Sequence, residues 1–522
     1  MRRNRYLYIT LLAVLGFNTE DAQAQDSIRY APRLVVNITI DQLRTDYLEA
    51  FSPVFGNDGF RRLFRQGLVY DNASYSFSKI DRASAIASVI TGVSPYYHSI
   101  VSEKWLDKET LRPVGCTEDL KKPGIPSAAQ LMVSSIGDEL KVATNGMAKI
   151  FSIAPTADAA ILSAGHAADG AFWLDDWRGY WKGSQYYSNN IPQFIQNFND
   201  LQSNSKTIEK AVWQPFNEVS GTFNYYQHIG DQKPFNHTFK GERKFIEYKT
   251  SALINSDITE LAQQCVISQT LGYDRVTDLL CLTYYAGNFS HQAMTDCQME
   301  LQDTYLRLDR ELGKLIKAIE DKLGAEHVLF VLTSTGYSDA ESADYAKYRV
   351  PTGTFFINRT ANLLNMYFGA VWGQGHYVET CYGNEIYLNH KLLESKRISL
   401  TDATQRAQEF ISQVSGVANV YTFIQLLGGN NQQISKIRNG FNQEHNGDIL
   451  IEVSPGWELQ NETSRESQLS RASFTQFPII FYGAGIKSER VKTPVTTDRI
   501  APTLAKSIRI RAPNACSSEP LF

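Results

Sequence analysis

Apolar runs as long as a buried strand alternate along the chain with segments of helical periodicity. The runs are rich in β-branched residues and are apolar throughout, which is typical of strands covered on both faces. They are residues 33–40, 147–153, 276–285, 327–333 and 477–482. This pattern predicts an α/β chain whose first run ends in a carboxylate, Asp41, where α/β sheets place their sites.

Three segments between these runs predict helices. Residues 303–322 repeat apolar side chains every three or four positions, and residues 60–67 form a shorter amphipathic segment. Residues 84–91 present small side chains, and Gly92 follows as a helix stop.

Two regions interrupt the alternation. Residues 171–270 are rich in Asn, Gln and aromatic side chains, and residues 345–445 mix strand-like runs with polar loops. We expect both to fold as insertions on the core rather than as independent domains. Dense aromatic stretches such as residues 172–181 either pack such an insertion on the core or form an interface or sugar-binding surface.

The N-terminus predicts an export signal. Three arginines at positions 2, 3 and 5 precede an apolar stretch over residues 6–17, and Ala22-Gln23-Ala24 gives a small-x-small cleavage pattern. The apolar stretch is shorter than the roughly 20 residues that span a bilayer. We predict a signal peptide over 1–24, a single mature domain over 25–522 without a transmembrane segment, and a location in the periplasm or on the outer cell surface.

Composition narrows the possible partners. The chain has 522 residues, 43% of them hydrophobic, and a formal net charge of -4 without a long basic run, which excludes an electrostatic nucleic-acid binder. Six cysteines form an even set that an exported protein could pair, and the sequence does not choose among the pairings. Zinc binding by these cysteines is the alternative, although none has C-x-x-C spacing.

Several segments spread over the mature chain together resemble the secreted, monoesterase-type alkaline phosphatases common in Bacteroidetes, within the alkaline phosphatase superfamily and its type I phosphodiesterase-like proteins. They are residues 36–43, 87–98, 116–119, 164–169, 303–309, 481–487 and 496–505. The resemblance implies a mixed central sheet flanked by helices on both faces, with a cap built from insertions. It also implies phosphate ester hydrolysis at two zinc ions through a phosphorylated threonine or serine.

The position that the family gives to its nucleophile carries an arginine. With the alignment anchored on Ser88 and Thr91, the nucleophile falls on Arg82, which is always charged and cannot be phosphorylated by this route. A two-residue slip would place Ser84 there instead.

The family's metal-ligand positions are mostly occupied by residues that do not bind zinc well. Asp41 alone stands where a ligand is expected, and one carboxylate is not a zinc site. By resemblance, the remaining former ligand positions are Tyr284, Asn288, Ser334, Thr335 and Gln476. We therefore predict no metal cofactor, with zinc expected only if the site has been rebuilt, for example around His291 and Asp296.

The positions that hold the phosphate in the family carry neutral or acidic residues in this chain. Resemblance places Glu103 at a family asparagine, and Thr156 and Asp158 at a family lysine and arginine. Each carboxylate would repel a phosphate dianion by about 4 kcal/mol at ~4 Å and an effective dielectric near 20.

Asp41 and Arg82 are expected to form a pair. A buried carboxylate is costly unless it is paired or protonated, and the resemblance puts both residues in the same site. We predict that the guanidinium lies in the former metal region and bonds Asp41. His166, which lies in a family motif, is expected to support a loop rather than to act in catalysis.

These observations predict an exported pseudophosphatase that acts as a binding or scaffolding component of the cell envelope, with an envelope protein as partner. The first alternative is an active zinc-dependent phosphomonoesterase or phosphodiesterase with a rebuilt site, that is, a phosphoric ester hydrolase. The second alternative, which rests on the aromatic segments, is a carbohydrate-binding envelope protein.

Overall fold

A computed structural model describes residues 31–202, 204–216, 234–339, 347–462, 471–472 and 475–522. The predicted signal peptide lies outside the described residues. None of the helices described is both long enough and apolar enough to cross a bilayer.

Most of the described strands are short, and the two longest have eight residues each. In chain order they are β1 Leu34–Asp41, β2 Leu68–Ser74, β3 Lys104–Leu106, β4 Pro113–Gly115, β5 Ile150–Ala154, β6 Gly170–Leu174, β7 Trp181–Gly183, β8 Val212–Trp213, β9 His237–Thr238, β10 Asp278–Tyr285, β11 Val328–Ser334, β12 Ser338–Asp339, β13 Gly353–Phe356, β14 Val378–Tyr382, β15 Glu385–Leu388, β16 Val417–Thr422, β17 Ile449–Val453, β18 Trp457–Gln460, β19 Arg471–Ala472, β20 Phe477–Gly483, β21 Glu489–Val491 and β22 Val495–Thr496. The five predicted strands correspond to β1, β5, β10, β11 and β20, so each of those predictions is confirmed.

Helices connect these strands. In chain order they are α1 Thr45–Phe51, α2 Phe60–Gln66, α3 Arg82–Thr91, α4 Pro95–His98, α5 Ile136–Ala143, α6 Ala157–Ala164, α7 Gln193–Gln202, α8 Asn204–Lys210, α9 Lys244–Lys249, α10 Leu253–Ser268, α11 Gln298–Leu323, α12 Ile357–Trp372, α13 His390–Ser395, α14 Leu400–Ile411, α15 Phe423–Gly428, α16 Gln432–Asn439 and α17 Ile500–Ile508. The three predicted helices are α2, α3 and α11. Gly92 ends α3 in the left-handed conformation, at φ 72°, as the stop signal predicts.

The central sheet is mixed. Within the described residues it contains ten strands in the order β21-β2-β20-β11-β1-β10-β5-β6-β7, with β22 also paired to β2. β1 runs parallel to both β10 and β11, whereas β20 and β7 are antiparallel to their neighbours. The carboxyl ends of β1, β10 and β11 therefore meet at one edge, which positions the residues that follow them.

Helices cover both faces of this sheet, as predicted. On one face, α10 and α11 pack over even-numbered residues of β1 such as Val36 and Ile38. On the other face, α3, α6 and α17 enclose a second apolar cluster that includes Val35 and Cys281. Burial of both faces explains why β1 and β10 are apolar throughout.

The two regions predicted as insertions differ. Within residues 345–445 and just beyond, β14-β15-β17-β16 form a separate sheet that packs with α12 and α14 around its own core. Residues 171–270, in contrast, contain β7 and most of β6, which extend the central sheet, and α10, which packs against β10. Trp173 and Trp181 are buried in the main core, and Trp177 is exposed. The central sheet therefore continues into the predicted insertion at residues 171–270.

All six cysteines are free thiols in the structure. Four of them, Cys116, Cys265, Cys281 and Cys297, are buried. The fold is therefore held together without a disulfide.

Candidate functional site

The carboxyl edge of the sheet meets the first turn of α3 at a cluster of charged side chains. Asp41 ends β1, Thr335 follows β11, and Arg82 begins α3. β1 and β11 are parallel and in register, so Asp41 and Thr335 leave the sheet side by side. This edge is where α/β folds place their sites.

Arg82 contacts three carboxylates. Its Nε donates to Asp158 Oδ2 at 2.7 Å, and its Nη2 lies 3.3 Å from Asp158 Oδ1, which makes a two-point contact. Arg82 Nη1 lies 3.5 Å from Asp41 Oδ2, and Nη2 lies 3.4 Å from Glu103 Oε1. The predicted contact between Asp41 and Arg82 is confirmed.

Asp41 is held from its other side by the chain that follows β11. The Thr335 hydroxyl donates to Asp41 Oδ1 at 2.9 Å and accepts the backbone N–H of Gln42 at 2.9 Å. Gln42 has φ 63°, so the chain turns sharply directly after Asp41. Both oxygens of the Asp41 carboxylate therefore have protein partners.

Asp81 positions Glu103 beside the arginine. As the N-cap of α3, it accepts the backbone N–H of Ser84, and its second oxygen accepts the backbone N–H of Glu103 at 2.6 Å. The Asp81 carboxylate therefore both caps the helix that carries Arg82 and holds the bend before β3 that carries Glu103.

Burial and charge act against each other in this cluster. Burial alone would lower the pKa of Arg82, but Asp158, Glu103 and Asp41 together raise the pKa well above its usual value. Burial would raise the pKa of Asp158, and the neighbouring Arg82 outweighs that effect, so the pKa is lowered. Both groups are therefore charged at neutral pH, and the Arg82 side chain is only 16% exposed.

Three predicted site positions have structural roles elsewhere. Ser84 completes the capping box of α3 and is fully buried. Tyr284 lies on the opposite face of β10, where its hydroxyl bonds that of Thr259 at 3.0 Å. Ser334 donates to the carbonyl of Leu43 at 2.7 Å.

The remaining positions lie around the cluster or away from it. Thr156 stands at the N-cap position of α6, two residues before Asp158. Asn288 is buried and donates to the carbonyl of Gln292, whereas Gln476 is exposed. Of the former zinc positions, the structure thus brings together Asp41 and Thr335.

A second ion pair near the cluster was not predicted. Lys249, at the end of α9, is buried and bonds Asp176 in the loop between β6 and β7. The pKa of Lys249 is lowered, mainly by burial. Asp176 and Asp158 oppose this effect, and the nearby charge of Arg82 adds to it. These residues come from distant loops, and no local motif connects them.

His291 has a carboxylate partner. Its Nδ1 lies 3.0 Å from Asp339 Oδ2, and Ser290 and His291 both have positive φ. Asp296 is exposed and contacts Thr295. Among the described residues, neither His291 nor Asp296 belongs to a group of three or more side chains that could hold a metal ion.

The side chains of this region do not fit a zinc centre. Zinc needs three or four nitrogen, sulfur or carboxylate ligands around one point. In the described part of the chain, no three His, Cys, Asp or Glu side chains are grouped so that they could hold a metal ion. The guanidinium beside Asp41 would also repel a divalent cation.

The Arg82–Asp158 pair predicts an acid-sensitive stability. Because the pKa of Asp158 is lower in the folded protein than its ordinary value of 3.8, its contribution is complete above that value and is lost as pH falls through the folded pKa. We expect the unfolding free energy of the wild type to fall more steeply below about pH 4 than that of Asp158→Asn. Urea titrations at several pH values measure this difference, and parallel curves would contradict the expectation.

The sequence and the fold are both similar to those of known proteins. The sequence profile of the type I phosphodiesterase / nucleotide pyrophosphatase family matches residues 35–473. The chain belongs to this family. It is 27% identical over 508 residues to alkaline phosphatase PhoV of Synechococcus elongatus, covering 92% of this chain and 91% of PhoV.

Alkaline phosphatase PafA of Elizabethkingia meningoseptica is 25% identical over 515 residues, covering 94% of each chain. The crystal structure of wild-type alkaline phosphatase PafA superimposes with a TM-score of 0.80 and 24% identity, covering 94% of this chain and 98% of that one. The α/β fold with a mixed central sheet and the membership of the alkaline phosphatase superfamily are thus established.

Proposed function

We propose that this chain is an exported, non-hydrolytic member of its family: a pseudophosphatase that acts as a binding or scaffolding component of the cell envelope. The observation that carries the proposal is the engagement of Arg82 by Asp41, Glu103 and Asp158. By resemblance, Arg82 stands where the family holds its nucleophile. A guanidinium is a poor nucleophile and remains protonated.

Charge supports the same proposal. Three carboxylates surround one guanidinium, so the side chains of the cluster sum to a negative charge. Glu103 is 33% exposed, so its carboxylate meets an approaching ligand. A phosphate ester dianion would meet repulsion here, whereas an active phosphatase supplies cations and hydrogen-bond donors to the phosphate oxygens.

Metal content and turnover test the absence of catalysis. The purified mature protein would be equilibrated with zinc, dialysed, analysed for bound metal, and assayed with p-nitrophenyl phosphate and bis(p-nitrophenyl) phosphate. We expect zinc well below one equivalent and no hydrolysis above buffer. We also expect inorganic phosphate to leave the midpoint of thermal unfolding unchanged, since its charge opposes that of the cluster.

Stoichiometric zinc together with hydrolysis that disappears in Asp41→Ala would instead establish the alternative, an active zinc-dependent phosphoesterase. The names of the relatives, alkaline phosphatases PhoV and PafA, are the observation that favours this alternative. Asp321→Ala is the matched control, because this exposed carboxylate on α11 pairs only with Lys317 among the ion pairs described. Its metal content and turnover should equal those of the wild type.

The binding role is tested separately. Affinity capture from envelope extracts would compare wild type, Glu103→Ala and Asp321→Ala. An envelope protein retained by the wild type and by Asp321→Ala but lost by Glu103→Ala would locate binding at the former pocket. Capture that is indifferent to Glu103 would place the partner elsewhere on the surface.

A further inference from the structure

His166 connects a loop to a helix. It follows Gly165 after α6, and its Nε2 lies 2.9 Å from the carbonyl oxygen of Leu131 in the loop that precedes α5. Its Nδ1 lies 2.9 Å from Oδ2 of Asp138, in the first turn of α5. The expectation that His166 supports a loop is confirmed.

Asp138 can only accept hydrogen bonds here. Its carboxylate already accepts the backbone N–H groups of Ser135, His166 and Ala167, each at 2.8 Å. Burial would raise the pKa of Asp138, but His166 and these donors lower it, so the group is ionised. A carbonyl oxygen such as that of Leu131 is likewise an acceptor only.

Both ring nitrogens of His166 therefore face acceptors. A neutral imidazole has one N–H and can satisfy only one of them, whereas an imidazolium donates to both. The two contacts can exist together only while the ring carries its second proton.

The loop and the helix that His166 bonds form the two walls of an open groove of about 610 Å³. Leu131 to Ser134 line one wall, and Asp138, Lys141 and Val142 of α5 line the other. The loop wall also holds the C-terminal segment, because Ser134 and Asn514 exchange two hydrogen bonds of 2.8 and 3.1 Å. Release of Leu131 would therefore loosen both the groove and this tail contact.

We propose that His166 is a pH-sensitive tether: its imidazolium closes the loop at residues 128–135 onto α5, and loss of one proton releases the loop wall of the groove and weakens the attachment of the C-terminal segment. The protonated ring donates to both walls. After deprotonation the neutral ring has a single N–H and one of the two contacts is lost. The contact to Leu131 is the one given up, because the carboxylate of Asp138 is a charged and stronger acceptor than the carbonyl oxygen of Leu131.

The other charged or titratable groups around the tether do not replace it. They are Glu139, Lys141, Asp169, Tyr186 and Tyr187. Lys141 is already paired with Asp169 at 2.9 Å, Glu139 accepts from the hydroxyl of Ser134, and burial raises the pKa of both tyrosines. His166 is therefore the group of this set that can change charge near neutral pH.

The direction in which His166 titrates sets the pH range over which the tether holds. The bond to Asp138 raises the pKa of His166 above its ordinary value of 6.5, and burial opposes this only in part. The tether is therefore complete below about pH 6.5 and is lost as pH rises through the raised pKa.

Amide hydrogen exchange of the full mature protein from pH 6 to pH 9, corrected for intrinsic rates, tests the proposal. We expect protection of residues 128–135 to fall by about 10-fold across this range in the wild type, as expected for the loss of one charge-assisted hydrogen bond. A smaller fall is expected at residues 509–522. His166→Gln should show low protection at every pH and no step.

His390→Gln is the matched control, because His390 also bonds a carboxylate, that of Asp448, but lies in the smaller sheet region. It should keep the step at residues 128–135. A wild type without a step overturns the proposal whatever the variants do, and so does a step of equal size in His166→Gln. Circular dichroism over the same pH range verifies that each protein remains folded.

Discussion

Replacing Arg82 with alanine is expected to lower the unfolding free energy by about 3–5 kcal/mol, the usual loss when one partner of a buried ion pair is removed. Arg82 is the shared partner of Asp41, Glu103 and Asp158. Without it, Asp41 and Asp158 remain as buried carboxylates with fewer donors, and each must be protonated or hydrated. Urea unfolding at pH 7 measures the change.

Removing the Asp158 carboxylate, which lacks its ion-pair partner in Arg82→Ala, should restore part of the lost unfolding free energy. In the Arg82→Ala background, Asp158→Asn should recover stability, whereas the same substitution in the wild type should reduce it. The sign reversal follows because the two side chains share a two-point contact. Arg359→Ala, at an exposed pair with Glu462, is the control and should change stability little. A similar small change in Arg82→Ala would contradict the central role assigned to this arginine.

Replacing Asp303 with alanine is expected to cost about 3 kcal/mol, from the loss of charge-assisted hydrogen bonds at a buried site. Asp303 is fully buried in α11 and accepts the indole N–H of Trp213 and the backbone N–H of Phe216, both at 2.7 Å. Arg307 Nε also donates to it at 2.6 Å. These bonds attach the segment at residues 213–216 to the longest helix, so the alanine variant leaves several buried donors unsatisfied.

Asp303→Asn should lose less, since its amide oxygen still accepts from one or two of these donors. Asp321→Ala, on the same helix, should be nearly neutral because its partner Lys317 is exposed. Urea unfolding of the three variants and the wild type ranks them. Equal stability of Asp303→Ala and Asp321→Ala would show that the buried carboxylate does not anchor the segment.

The long strands and helices could be predicted because burial of both sheet faces imposes an unambiguous pattern. β1 and β11 are buried along their whole length and are mainly apolar. α11 repeats its apolar side chains along most of its 26 residues. The aromatic region after residue 170 was harder, because a short edge strand such as β7 lacks such a pattern. Its membership of the central sheet depends on pairing with β6, a contact that composition does not reveal.

The site could be predicted only where resemblance aligned residues that also meet in space. Asp41 and Arg82 were paired correctly, because the end of a buried strand and the start of the next helix converge in this fold. Resemblance gives Tyr284 as a former ligand position, and the structure adds that Asp41 pairs with Tyr285 while the Tyr284 hydroxyl bonds Thr259 on the opposite face of the sheet. A shift of one residue along a strand reverses the face of a side chain, and the sequence alone does not fix this register.

The free state of all six thiols has a consequence for how the chain reaches its native form. With no covalent cross-link to close, no oxidant or disulfide isomerase is required for folding, and reducing conditions remove nothing from the finished molecule. In an oxidising compartment the sulfur atoms of Cys116, Cys265, Cys281 and Cys297 are protected by enclosure within the core.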